Sequence, residues 1–172
     1  MVSLVGLCGY AGSGKDTAAL CLTDRGWKRR AFADKLKEMA LQIRPWIFDN
    51  GGWQCLETIV FNRGWERAKK VPDVRRFLQR LGVEVREIDE DFWVKAVDLF
   101  EEEIVITDVR FPNEAQLIAE HGGILIRIVR PGVGPVNSHS SENDLAELAN
   151  FTVVNDGSAE DLHRQILEIV GC

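Results

Sequence analysis

An α/β fold, with a parallel sheet covered by helices on both faces, is predicted from three observations. Short apolar runs that read as strands alternate with segments of helical spacing along most of the chain. The first of these runs breaks into glycines and then opens a helix through a lysine, in "VGLCGYAGSGKDTAAL" from Val5 to Leu20. A later run, "EIVITD", ends on the carboxylate of Asp108, at the end of a strand where open parallel sheets place their ligands.

The elements follow in order. Ser3 to Cys8 reads as a buried strand, and Lys15 to Asp24 as the helix after the glycine turn. Trp27 to Phe32 is a short second strand. Asp34 to Ile47 has helical spacing through Leu36, Ala40, Ile43 and Ile47, with Pro45 disturbing its end. Gly51 to Val71 has no clean periodicity, and 51–71 is expected to be a mobile insertion. Pro72 to Leu81 is a helix with proline in its first turn and Val74, Phe77, Leu78 and Leu81 on one stripe. Arg76 and Arg80 share a neighbouring face. Asp91 to Phe100 is a further helix.

Ile104 to Thr107 is a short buried strand, and Pro112 to His121 a helix closed by Gly122 and Gly123. Ile124 to Val129 is a strand, Arg130 to Ser141 is loop-like, and Phe151 to Val154 is the last strand. Ser158 to Val170 is a helix with an S-x-x-D start. The 172 residues are expected to form one domain.

A net charge of -6 gives no support for nucleic acid or an anionic membrane as partner. No apolar run approaches the roughly 20 residues of a membrane span, and no signal peptide is visible at "MVSLVGLCGY". Cys8, Cys21, Cys55 and Cys172 show no C-x-x-C spacing, which argues against a zinc site and for a reducing cytoplasm.

Gly9 to Lys15 matches G-x-x-x-x-G-K, the phosphate-loop pattern, between a strand and a helix as that motif requires. The backbone N–H groups of Ala11, Gly12, Ser13, Gly14 and Lys15 are expected to form an anion nest at a helix N-terminus. Lys15 supplies a full charge for the β- and γ-phosphates of a nucleotide triphosphate. Where the pattern expects Ser or Thr, this chain has Asp16, with Thr17 next. A carboxylate beside a triphosphate is repulsive unless a cation intervenes. Asp16 is therefore read as a Mg2+ ligand, direct or through water, and Thr17 as a hydrogen-bonding partner of the α-phosphate.

Asp108 has three readings: it reaches the magnesium shell, it accepts a hydrogen bond from substrate, or it merely ends a strand. Arg110 either grips a phosphate or pairs with Glu114 on the surface. Glu114 itself suits the first turn of a helix.

"GYAGSGKDT", "FADKLKEMA", "RRFLQRLGVEVRE" followed by "FWV", "VITDVRFPNEA" and "HSSE" occur in this order. Together they resemble the bacteriophage-type deoxynucleoside monophosphate kinases, a branch of the P-loop nucleoside monophosphate kinases, from the first strand to about Glu142. The resemblance implies a three-layer P-loop fold, a five-stranded parallel sheet in the order second, third, first, fourth, fifth, and a mobile lid. It implies ATP as donor, a deoxynucleoside monophosphate as acceptor, and a dimer as a common state. If the source is viral, the location it implies is the host cytoplasm.

Such a kinase must neutralise two phosphate groups and exclude water. Lys15, Arg130, Arg110 and Asp108 are the expected catalytic set. Arg130 ranks above Arg127, which lies inside a strand where a structural ion pair is expected. On the acceptor side stand Lys37, which matches the family position better than Lys35, together with Arg75, Arg76, Trp93 and Glu142. Trp93 stacks on the base or fills the core. The helix arginines are too many for all to be ligands, and a solvated basic face is the alternative for each. Gln79 and Glu84 are weaker candidates for reading a base edge, and His139 is read as a turn residue. The loop 131–143 is expected to act as a lid or to cover the acceptor.

Two other classes compete. Another small-molecule P-loop kinase, such as one acting on dephospho-coenzyme A, would share the loop and sheet. A GTP-dependent switch would need N-K-x-D and D-x-x-G motifs, which the chain lacks. A non-catalytic member is a further reading, but G-K-D-T matches the family pattern.

Overall fold

The computed structural model describes residues 2–99, 103–134 and 141–171, with the backbone alone for 141–144. The chain divides into two compact units, residues 1–32 with 97–172, and residues 33–96. The second unit runs well beyond the 51–71 stretch that the sequence singles out.

The first unit is built on a five-stranded sheet. Its strands are β1 (Leu4–Cys8), β2 (Lys28–Arg30), β5 (Ile104–Ile106), β6 (Ile124–Val129) and β7 (Phe151–Val154). They lie in the order β2-β5-β1-β6-β7, and every pairing is parallel. Two strands elsewhere, β3 (Trp46–Asp49) and β4 (Gly52–Cys55), take up the missing numbers. Renumbered within the sheet, the order is second, third, first, fourth, fifth, as expected.

All five residues of β1 are buried, which is why the strand reads as a continuous apolar run and not as an alternation. One face is covered by α1 (Lys15–Thr23) and α8 (Ala159–Val170). There Ala18, Leu22, Leu162, Ile166 and Val170 pack against Val5, Leu7, Ile126 and Ile128. Each fully buried Leu or Ile contributes about 1.5–3 kcal/mol relative to exposure. The other face carries α6 (Pro112–Glu120). It packs so closely that a Cβ at Gly6 would lie 2.3 Å from Ile118 Cδ1.

The second unit holds most of α2 (Phe32–Ile43), the hairpin β3–β4, α3 (Leu56–Ala68), α4 (Pro72–Ile88) and α5 (Phe92–Ala96). Its core is Ala40, Ile47, Leu56, Ile59, Ala68, Val71 and Val74, with Phe77, Leu78 and Leu81 from α4 packed on it.

Several boundaries differ from expectation. The second helix stops at Ile43, because Arg44 turns to φ 53° and Pro45 follows. Ile47 is therefore a strand residue. The 51–71 stretch holds ordered elements, β4 and α3, and α3 kinks at Gly64 with φ 71°. The α4 helix extends to Ile88 and α5 covers only Phe92–Ala96. A further helix, α7 (Ser141–Leu148), occupies part of the expected 131–143 loop. Residues 135–140, and with them His139, lie outside the described residues.

Candidate active site

The loop after β1 needs glycine at two places. Gly9 has φ 132°, and a Cβ there would lie 2.2 Å from the carbonyl oxygen of Ile128. Gly14 has φ 109°, and a Cβ there would lie 2.4 Å from Asn155 Nδ2. Only a residue without a side chain fits either position. Ala11 and Gly12 are exposed, as a surface offered to a ligand must be.

Ser13 is buried, and its Oγ is without a hydrogen-bond partner among the described residues. The Lys15 ammonium donates to the carbonyls of Gly9 at 2.6 Å and Tyr10 at 2.9 Å. Its charge therefore sits at the start of the loop. Asp16 is exposed in the first turn of α1.

Two braces hold this loop that no motif announces. Asn155, just past β7, donates its Nδ2–H to the carbonyl of Ser13 at 2.8 Å, while its own N–H reaches Val129 O at 2.7 Å. His163 on α8 donates from Nε2 to the carbonyl of Thr17 at 2.8 Å. An asparagine at a strand end and a histidine on an amphipathic helix are too common to single out in one sequence.

Asp108 follows β5, and its Oδ1 accepts from the N–H of Phe32, the first residue of α2, at 2.9 Å. One of its oxygens is thus engaged at the β2–α2 junction. Glu114 is buried, 2% exposed, and its Oε2 accepts from the N–H groups of Arg110 at 2.7 Å and Phe111 at 3.2 Å. It shapes the turn before α6, so the surface pair of Arg110 with Glu114 does not form. The Arg110 side chain stands exposed instead.

Arg127 and Arg130 differ in exposure. Arg130 is exposed just past the end of β6. Arg127 is part-buried within β6, in register with Cys8 on one side and Thr152 on the other. It makes no ion pair among the described residues. Burial pushes the Cys8 thiol up to about 11, against the opposing charges of Arg127 and then Lys15.

The expected acceptor residues of the second unit are placed as follows. Lys37 Nζ bonds Asp34 Oδ1 at 2.8 Å with its side chain 19% exposed, whereas Lys35 pairs with Glu38 and is 44% exposed. Arg75 and Arg76 are both exposed on α4, and Arg76 pairs with Asp73 at 3.2 Å. Gln79 is exposed, and Glu84 lies 3.8 Å from Arg80. Trp93 is 3% exposed, donates Nε1–H to Gly82 O at 3.2 Å, and meets Phe92 edge-on at 4.9 Å between centroids. Its burial favours the packing alternative over an open stacking platform. Glu142 belongs to α7, and its side chain lies outside the described residues.

Among the described residues no three acidic, His or Cys side chains gather to hold a metal. An exposed Asp16 beside the loop suits magnesium, which binds through one or two carboxylates together with substrate phosphates.

The family model for deoxynucleotide monophosphate kinase matches residues 48–166. A putative deoxynucleotide monophosphate kinase of Acanthamoeba polyphaga mimivirus is 31% identical over 97% of this chain and 95% of its own length. The chain belongs to the deoxynucleotide monophosphate kinase family. The deoxynucleotide monophosphate kinase of Enterobacteria phage T4 is 28% identical over 70% of this chain and 56% of that protein. Among solved structures, shikimate kinase from Aquifex aeolicus superposes with a TM-score of 0.50 at 15% identity, covering 98% of this chain and 96% of that one. Identity that low shows the shared fold alone. The match to the deoxynucleotide monophosphate kinase family includes α4 and the Asp108–Glu114 turn, and the phosphate loop precedes it.

Proposed function

We propose that the protein transfers the γ-phosphoryl group of ATP to a deoxynucleoside monophosphate, giving the diphosphate. The observation that carries the reading is a loop of the phosphate-binding pattern, Gly9 to Gly14, folded between β1 and α1 in a chain of this family. Lys15 and the amides of Ala11, Gly12, Ser13, Gly14 and Lys15 hold the donor phosphates, and Thr17 reaches the α-phosphate. Asp16 holds magnesium, which neutralises phosphate charge when bound.

Arg110 and Arg130, both exposed, cancel charge on the group in flight, with Asp108 past the end of β5 as the remaining member of the catalytic set. Lys37, Arg75, Arg76 and Glu142 bind the acceptor, and Trp93 shapes its base region from within the core. The acceptor phosphate is already anionic near neutral pH, so the transfer needs positioning more than a general base. A homodimer and a cytoplasmic location belong to the same reading.

The test is ADP formation from Mg-ATP with each of the four deoxynucleoside monophosphates and then their ribo counterparts. ADP matched by acceptor diphosphate, with particular deoxy acceptors only, supports the reading. No stimulation by any nucleotide, with turnover on dephospho-coenzyme A, overturns it. Lys15→Ala abolishes transfer while the far-ultraviolet spectrum is kept. A folded variant with near-normal turnover removes Lys15 from the site.

A further inference from the structure

A part-buried guanidinium is expensive unless something neutralises it. Arg127 is such a group. It sits in the middle of the central sheet, with Cys8 and Thr152 as its register partners. It lines a cleft with Cys8, Gly9, Tyr10, Val109, Val129 and Leu145, none of which carries an acid. The carboxylates that precede and open α6 are already engaged, Asp108 with the Phe32 N–H and Glu114 with the N–H groups of Arg110 and Phe111. Among the described residues Arg127 has no ion pair and no hydrogen-bonding acceptor.

The cleft has a volume of about 10 Å³, room for roughly one water molecule. No nucleotide enters it. It does open beside Gly9 and Tyr10, the two residues whose carbonyls receive the Lys15 ammonium. Both cations also act on the same thiol, Cys8, with Arg127 the stronger influence. Two positive charges therefore converge on the start of the phosphate loop.

We propose that Arg127 is a second cation of the phosphate loop, acting with Lys15 on the outer phosphates of the bound donor. The inference rests on the kinase reading for which phosphate is transferred, but the anion site it describes stands without it. With no partner among the described residues, Arg127 can take the phosphate as its partner. A planar guanidinium meets two phosphate oxygens at once, which an ammonium does not.

The experiment uses the full chain and inorganic tripolyphosphate as probe, followed by calorimetry, with melting temperature measured alongside. Arg127→Met is expected to melt no lower than the parent without ligand, because an uncompensated charge is removed. Tripolyphosphate affinity is expected to fall at least about tenfold. Arg127→Lys should recover part of that loss. Arg164→Met, which removes an exposed arginine paired with Asp161 on α8, controls for net charge and should leave affinity within about twofold.

A lower melting temperature for Arg127→Met with unchanged tripolyphosphate affinity would mean a structural arginine and would overturn the proposal. So would equal affinity losses in Arg127→Met and Arg164→Met. Failure of the parent to phosphorylate any deoxynucleotide would strike the kinase reading, while the tripolyphosphate comparison would still decide the role of Arg127.

Discussion

Asn155 Nδ2 donates to the carbonyl oxygen of Ser13 at 2.8 Å, across 142 residues of chain. The bond fastens the turn before Lys15 to the end of the last strand, so loop shape depends on β7 being docked. Gly14 lies under the same amide group, whose Nδ2 would come within 2.4 Å of a Cβ at that position. Asn155→Ala is expected to leave the fold intact and to weaken ATP binding by about two- to tenfold, the worth of one net hydrogen bond. Titration calorimetry of the variant measures this, and an unchanged dissociation constant would show that the loop holds its shape alone.

Glu114 is a buried acid whose partners include two backbone N–H groups. Glu114→Ala strips both of their acceptor and is expected to cost about 1–3 kcal/mol. Glu114→Gln keeps an acceptor oxygen and should cost less. Urea denaturation ranks the two, and the reverse ranking would contradict the assigned geometry.

The start of α8 titrates. Asp161 N–H donates to Ser158 Oγ at 3.1 Å, while Asp161 Oδ2 accepts from the Ser158 hydroxyl at 2.9 Å and from its N–H at 3.1 Å. The Ser158 hydroxyl first, then its N–H and Arg164, hold the Asp161 carboxyl below its ordinary value. A depressed carboxylate stabilises the fold above its unfolded pKa, and the gain is lost as pH falls through the folded one. Ser158→Ala should lower the melting temperature by about 2–4 °C at pH 7. The gap between variant and parent should narrow below about pH 4. Melting curves at pH 7 and pH 3 with the same gap would contradict the coupling.

Thiol accessibility separates the cysteines. Cys8 and Cys21 are buried, Cys55 is half-buried, and none of the three forms a disulfide. With Cys8 pushed up to about 11, its reactive thiolate is scarce at pH 8. In a Cys172→Ser background, one thiol should react quickly with an aromatic disulfide reagent, and two should wait for unfolding. Rapid loss of two or more thiols from the native protein would mean that the β1 strand opens.

The phosphate loop, its flanking strand and helix, and the capped last helix are legible in the sequence because each is local. The glycine pattern, the apolar run of β1 and the Ser158–Asp161 spacing all fall within a few residues. The β3–β4 hairpin is equally local. Asn50 and Gly51 adopt φ 51° and 83°, with Asp49 paired to Gly52, and Asn-Gly is the common two-residue hairpin turn.

The part that could not be read is the part that depends on distant partners. Asn155, His163 and Arg127 acquire their roles from residues far along the chain. Arg127 looked like half of an ion pair because strand arginines usually are, and only the fold shows that its neighbours are Cys8 and Thr152. Trp93 had two roles open to it, and the carbonyl of Gly82 favours the buried one.

The strand order also carries a consequence for synthesis. β1 pairs with β5 and β6, and β2 pairs with β5, so neither early strand has a sheet partner until about residue 104 has been made. Residues 33–96 form an uninterrupted compact unit and come off the ribosome in between. The nascent chain thus carries an apolar β1 unpaired through the making of a whole second unit, an interval in which unpaired strand edges invite aggregation. Nucleotide binding is delayed in the same way, because the brace on Ser13 is the side chain of Asn155, made 142 residues later.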